Sequence, residues 1–93
     1  MIEFNKTKQE ETNSVVLEEV KDHALIIFND EVNTFDFVIE SLVELCEHDW
    51  IQAEQCTTLI HYKGKCAVKS GEYETLMPIC SAFLDRGITA EIA

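Results

Sequence analysis

Apolar and polar residues follow one another along the chain in blocks that predict regular elements over residues 22–93. The run of residues 24–28 is continuously apolar and rich in branched side chains, so it predicts a largely buried strand that starts at His23. Shorter apolar runs at residues 65–69 and 88–92 predict two further strands. We therefore expect a sheet of three strands.

Two helices are predicted between the first two strands, because apolar residues recur there at helical spacing. Asn33 or Thr34 can cap the first helix with a side-chain oxygen. Asp49 opens the second helix, and Gln52 follows three residues later in the capping-box position. Gly64 supplies the left-handed residue that ends this helix.

A third helix is predicted over residues 72–86. It contains Pro78, which costs about 3 kcal/mol inside an uninterrupted helix, so we expect either a kink or a later start. Three strands with the helices on one face predict a small two-layer α+β domain, in the order β-α-α-β-α-β, over residues 22–93. Residues 1–21 are polar with weak periodicity and predict a flexible acidic N-terminal extension.

Composition limits the classes of partner. The chain of 93 residues carries a net charge of −11, from 18 acidic and 7 basic residues, and 46% of it is hydrophobic. These values suit one globular domain that lacks the basic surface needed for nucleic acid or anionic membranes. Because no apolar run approaches the roughly 20 residues of a membrane span and no signal-peptide pattern is present, we expect a cytoplasmic protein.

The cysteines permit two interpretations. The chain contains Cys46, Cys56, Cys66 and Cys80, with no CxxC pair. Cys46 and His48 have a spacing that suits zinc, and so does Cys56 with respect to His61. On a helix, however, positions five apart differ by about 140°, so the second pair does not share a face. We therefore predict small buried hydrophobic cysteines and no metal, disulfide framework or cofactor, with His23 and His48 on the surface.

Two polar segments about thirty positions apart suggest a binding site. Asn29 and Asp30 directly follow the first strand, whereas His61 lies near the end of the second helix. Acceptor oxygens at the end of a strand and an imidazole at the end of a helix suit the binding of a small cation. An enzyme is not indicated, because no Ser or Cys lies in a nucleophile motif and one His with one Asp is too little for a triad.

The segment 22–65 resembles the ClpS family, the adaptors of the bacterial ATP-dependent Clp protease. The family pattern is an apolar strand, an Asn-Asp-Asp loop, a Met-Glu-Phe-Val helix start and a His-x-x-Gly-Lys turn. The matching residues are 25–31, 35–40, 53–55 and 61–65. The spacing between the Asn-Asp pair and the His fits the family without gaps.

This resemblance implies a non-enzymatic adaptor. Such an adaptor binds proteins whose N-terminal residue is Leu, Phe, Tyr or Trp and delivers them to a Clp AAA+ unfoldase of the ClpA or ClpC type. The resemblance implies that Asn29, Asp30 and a neutral His61 hold the α-amino group, and that Glu72 contacts the unfoldase. It also implies an apolar side-chain pocket with walls formed by Asn33, Phe35, Val38, Thr57 and Ile60. We expect a monomer.

The chain departs from the family pattern in the pocket. Phe35 stands where the family has a Met that resembles a gate for side-chain shape, and Phe cannot re-pack as freely as Met. Asn33 and Thr57 also replace the more usual Thr and Met. The alternative function is a protein-docking module with the fold of the ribosomal-stalk C-terminal domain, which would not recognise a free amino terminus.

Overall fold

The computed structural model describes residues 22–93, which form a three-stranded antiparallel sheet and three helices. In chain order the elements are β1 (His23–Phe28), α1 (Phe35–Cys46), α2 (Trp50–Lys63), β2 (Lys65–Gly71), α3 (Tyr73–Asp85) and β3 (Ala90–Ile92). The first strand is central and pairs antiparallel with β2 on one side and β3 on the other. The predicted α+β class and element order are confirmed. The predicted extension over residues 1–21 lies outside the described residues.

The central strand buries one face. Leu25 and Ile27 are fully buried, whereas Ile26 and Phe28 between and after them are half-buried. The prediction of a largely buried strand is therefore wrong at alternate positions. The physical reason is that all the helices cover the same face of the sheet, so the other face meets solvent.

The core lies between this covered face and the helices. Its largest fully buried apolar side chains are Phe83, Leu25, Ile27, Leu42, Leu76 and Ile88. Burial of each contributes about 1.5–3 kcal/mol relative to an exposed position. None of the helices within residues 22–93 is long and apolar enough to cross a membrane.

Both predicted caps of the first two helices are present. The Thr34 hydroxyl accepts a hydrogen bond from the Phe37 backbone N–H at 3.1 Å, so Thr34 rather than Asn33 caps α1. The Asp49 carboxylate accepts one from the first turn of α2 at 2.8 Å. Gly64 ends α2 with a φ of 93°, a left-handed conformation that costs glycine little.

The third helix runs through its proline. It begins at Tyr73, before Pro78, so the expectation of a later start is wrong. Pro78 cannot donate to the carbonyl of Glu74 one turn earlier. Because both residues are exposed, water can satisfy that carbonyl.

A β-bulge explains an unexpected buried imidazole. The pairing of β1 with β2 shifts between Leu25 and Ile26, which leaves Val68 without a partner residue in β1. The Val68 carbonyl instead lies 2.8 Å from Nε2 of His48, which donates the hydrogen bond. His48 is only 6% exposed, so its predicted surface position is wrong. His23 is exposed, as predicted.

Candidate ligand-binding site

Strand pairing brings the two polar segments together at one end of the sheet. Phe28, the last residue of β1, is opposite Lys65, the first residue of β2. The next residue, Asn29, donates its backbone N–H to the Gly64 carbonyl at 2.9 Å. The loop after β1 is thereby joined to the end of α2, which carries His61.

A cavity of about 400 Å³ opens where these segments meet the start of α1. Its lining includes every residue predicted for the α-amino site and for the side-chain pocket, namely Asn29, Asp30, Asn33, Phe35, Val38, Thr57, Ile60 and His61. Glu31 and Thr34 also line it, although neither was assigned to the site. The position of Glu31 directly after Asp30 could have indicated from the sequence that Glu31 lies at the site. The residues are thus grouped in one cavity, and their contacts with a ligand stay a prediction.

The base of the cavity is apolar and built from the core. Val38 of α1 and Ile60 of α2 belong to the hydrophobic core and are almost fully buried. Thr57 is buried beside them, and its hydroxyl donates to the Ala53 carbonyl at 2.8 Å. Because this hydrogen bond satisfies the hydroxyl proton within the helix, Thr57 adds no free donor to the cavity. The base therefore suits an apolar side chain.

Aromatic rings border the mouth. Phe35 is 41% exposed, and its ring meets the His61 imidazole edge to face, with 6.5 Å between ring centroids and 82° between planes. The imidazole also meets the ring of Tyr62, at 5.0 Å between centroids. Within residues 22–93 the imidazole nitrogens of His61 form no hydrogen bond, so both are available to a ligand.

The Asp30 carboxylate organises the loop between β1 and α1. Its Oδ1 accepts hydrogen bonds from the backbone N–H groups of Val32 and Asn33, each at 2.9 Å. The Asn33 amide group donates to both carboxylate oxygens, at 2.9 Å to Oδ2 and 3.2 Å to Oδ1, and also to the Gly87 carbonyl at 2.9 Å. Asn33 is therefore a link in the loop as well as a wall of the cavity, a role that sequence reasoning missed.

These hydrogen bonds keep the Asp30 carboxyl group charged. The backbone N–H of Asn33 is the main cause that lowers the pKa of Asp30 below 3.8. Burial opposes the change, while the Val32 N–H and the Asn33 side chain assist it. Because Oδ2 accepts only the Asn33 amide in the described part of the chain, it retains a lone pair for a ligand donor. The mouth is thus anionic and rich in acceptors, above an apolar base.

The cysteines and histidines do not assemble a metal centre in the part of the chain that the structure describes. Within residues 22–93, no three His, Cys, Asp or Glu side chains are grouped closely enough to hold a metal ion. Cys46 and Cys80 are buried, as predicted, whereas Cys56 and Cys66 are half-buried. Burial raises the pKa of the Cys46 thiol to about 11.

Comparison with known proteins identifies the family. Residues 18–87 match the family model of the ATP-dependent Clp protease adaptor protein ClpS. The chain belongs to the ClpS family. The match extends past residues 22–65, which carried the resemblance, through β2 and α3. The description of the ClpS family is that of an adaptor rather than an enzyme.

Two known proteins are similar to this ClpS-family chain, one in sequence and one in structure. It is 40% identical over 50 residues to the mouse E3 ubiquitin-protein ligase UBR1, a match that covers 54% of this chain and 3% of the ligase. The chain thus spans only about 3% of that ligase's length. The structure of Agrobacterium tumefaciens ClpS2 bound to L-phenylalaninamide superposes with a TM-score of 0.69 at 14% identity, covering 80% of this chain and 96% of the other. The shared fold is therefore that of a ClpS protein.

Proposed function

We propose that this protein binds the N-terminal residue of substrate proteins that begin with Leu, Phe, Tyr or Trp. Asn29, Asp30 and His61 hold the α-ammonium group, and the apolar base receives the first side chain. The observation that carries the proposal is the combination, in one cavity, of an anionic mouth with free acceptors and an apolar base. An N-terminal residue with a large apolar side chain has the same two chemical parts.

The expected affinity follows from those two parts. An α-ammonium has three donors, and each charge-assisted hydrogen bond contributes roughly 1.5–3 kcal/mol. Burial of a large apolar side chain adds about 1.5–3 kcal/mol. After the cost of association, a micromolar Kd, or about −8 kcal/mol, is a reasonable expectation.

The similar structure supports this choice of ligand. L-Phenylalaninamide, the compound bound to the Agrobacterium protein, has a free α-amino group and an apolar aromatic side chain. Its carboxamide stands in for the first peptide bond of a protein. The same chemistry fits the cavity of this chain, which combines an anionic mouth with an apolar base.

Fluorescence anisotropy with labelled peptides tests the proposal. The peptides begin with Leu, Phe, Tyr, Trp, Ile or Ala and otherwise share one sequence, and each is prepared with a free and with an acetylated N-terminus. We expect micromolar binding of the free Leu, Phe, Tyr and Trp peptides. Acetylation removes the charge and donors, so it should weaken binding about tenfold or more. Equal binding of free and acetylated peptides would instead favour the docking module of ribosomal-stalk type.

We further propose that the protein delivers its substrates to a Clp AAA+ unfoldase of the ClpA or ClpC type. The family description, which names the Clp protease, supports this step. Glu72, the predicted contact, is exposed at the N-cap of α3, and its side chain makes no capping hydrogen bond. Calorimetric titration of the unfoldase should show weaker binding for Glu72→Lys than for the control Glu74→Lys. Equal affinities for the two variants would show that Glu72 does not contribute to the contact with the unfoldase.

A further inference from the structure

The Asn33 amide group in the cavity wall has a fixed orientation. Its nitrogen uses both of its protons, because it donates to the Asp30 carboxylate oxygens at 2.9 and 3.2 Å and to the Gly87 carbonyl at 2.9 Å. If the amide were flipped, its oxygen would face these three acceptor oxygens instead. The three contacts therefore determine which way the amide lies and turn Oδ1 away from Asp30 and Gly87.

The Asn33 oxygen is accessible and accepts no hydrogen bond from any residue in the described part of the chain. Among the buried and half-buried residues within 22–93, the only enclosed side-chain nitrogen or oxygen without a partner is Nδ1 of His48, so Asn33 Oδ1 is not enclosed. Asn33 is itself half-buried and lines the cavity of about 400 Å³. A ligand in the cavity therefore meets an acceptor that is held in place by the other end of the same amide.

We propose that Asn33 Oδ1 accepts a hydrogen bond from the first side chain of the ligand, either from the indole N–H of Trp or from the phenol O–H of Tyr. This assignment rests on the proposed function, in which the cavity receives an N-terminal residue. Trp and Tyr are the large apolar side chains that carry a donor, whereas Phe and Leu carry none. The protein therefore ranks its ligands by this donor as well as by the apolar surface that they bury.

Counting donors and acceptors favours the first side chain as the partner of Asn33. An α-ammonium has three protons, and Asn29, Asp30 and His61 supply the three acceptors that we propose for them. The Asn33 oxygen is a fourth acceptor, for which the ammonium has no proton left. A Phe or Leu side chain beside this oxygen would exclude water and leave it unpaired, and a polar group left unpaired in this way discriminates strongly between ligands.

Pairs of peptides that differ only in the donor test this assignment. The first pair begins with Tyr or 4-fluorophenylalanine, and the second begins with Trp or 3-benzothienylalanine, in which sulfur replaces the indole N–H. Anisotropy titrations with the full chain should give a Kd about tenfold lower for the Tyr or the Trp peptide than for the other member of its pair. The pair that shows this difference identifies the donor that reaches Asn33. Equal affinities within both pairs would overturn the proposal.

Two variants locate the acceptor. Asn33→Ala should reduce the ratio of the two affinities within the responsive pair to about one, even where loss of the hydrogen bonds to Asp30 weakens binding of both peptides. Thr57→Val removes the hydroxyl oxygen in the apolar base and should keep the ratio, whatever its effect on the affinities themselves. A ratio that survives Asn33→Ala, or that is lost in Thr57→Val, would assign the donor to another acceptor. If circular dichroism shows Asn33→Ala to be unfolded, the ratios in the wild type and in Thr57→Val decide.

The same titrations separate this proposal from the proposed function. If no peptide with a free N-terminus binds, the proposed function fails and the assignment of Asn33 fails with it. If the peptides bind, acetylation weakens them, and the affinities within both pairs are equal, then the proposed function holds and only the role of Asn33 is wrong.

Discussion

The Asn33 side chain joins the Asp30 carboxylate to the backbone carbonyl of Gly87. Its amide nitrogen lies 2.9 Å from Asp30 Oδ2 and 2.9 Å from the Gly87 oxygen. One side chain thus holds the loop after β1 against the turn after α3, 54 positions away in sequence. The acceptors at the mouth of the cavity depend on this connection for their position.

We therefore expect Asn33→Ala to destabilise the domain. The substitution removes the side-chain hydrogen bonds to Asp30 and Gly87, so the free energy of unfolding should fall by about 1–3 kcal/mol in urea titrations. Asn29→Ala is the matched control in the same loop, because the Asn29 side chain makes no hydrogen bond in the described part of the chain. The control should change stability by less than about 0.5 kcal/mol. Equal effects of the two substitutions would contradict a structural role for the Asn33 amide.

The lowered pKa of Asp30 predicts a specific dependence of stability on pH. A carboxyl group whose pKa is lower in the folded than in the unfolded chain stabilises the fold fully above its unfolded value, near 3.8. That contribution is lost as the pH falls below 3.8 through the lower folded value. Comparing urea unfolding of the wild type with that of Asp30→Asn separates the contribution of Asp30 from those of the other carboxyl groups. The wild type should lose stability relative to Asp30→Asn only below about pH 4, whereas a difference that is constant across the acidic range would rule out this contribution.

Most of the fold could be predicted from the sequence, because local signals agree with it. The branched apolar run gives β1, while Thr34 and Asp49 cap their helices and Gly64 ends one. His48 could not be placed in this way. Its burial depends on the bulge at Val68, and a bulge is a property of the register between two strands rather than of either sequence alone.

The residues of the site could also be predicted in part from the sequence. The spacing of Asn29 and His61 in the family pattern anticipated a shared cavity, and pairing of β1 with β2 brings these two residues together. The hydrogen bond from Asn33 to Gly87 could not be predicted from the sequence, because nothing in the sequence around an amide side chain indicates a partner 54 positions away. The same holds for Arg86, which reaches across to α1.

Arg86 forms another long-range polar link, between the end of α3 and α1. Its guanidinium donates to the buried Ser41 hydroxyl at 3.0 Å and pairs with the exposed Glu44 carboxylate at 2.8 Å. A double-mutant cycle of Arg86→Leu with Ser41→Ala should give a coupling energy of about 0.5–1.5 kcal/mol in urea unfolding. The parallel cycle with Glu44→Ala should give less than about 1 kcal/mol, since water screens an exposed pair. A larger coupling to Glu44 than to Ser41 would reverse this ranking.

His61 should affect binding more than stability. It is exposed, and its nitrogens make no hydrogen bond within residues 22–93, so His61→Ala removes little from the fold. Loss of an acceptor for the α-ammonium should weaken binding of a peptide with a free N-terminal Phe by about 1.5–3 kcal/mol, or roughly 10- to 150-fold. His23→Ala, an exposed histidine that does not line the cavity, should leave the anisotropy titration unchanged. If circular dichroism shows His61→Ala unfolded, then the residue is structural and its assigned role is wrong.

Phe35 should determine which N-terminal side chains of a peptide the cavity prefers. Its ring is half-exposed at the mouth and held edge to face against His61, and a Phe side chain cannot adapt to a branched ligand as a Met can. Phe35→Ala should therefore reduce the preference for an N-terminal Leu peptide over an Ile peptide by about tenfold, the effect of a small steric change in an apolar pocket. Tyr62→Ala is the matched control, because Tyr62 also contacts the His61 ring but is 79% exposed and does not line the cavity. Anisotropy titrations of both peptides against both variants distinguish the effects of the two rings. If the two variants change the ratio of the Leu-peptide and Ile-peptide affinities equally, the selectivity depends on the orientation of His61 and not on the Phe35 ring.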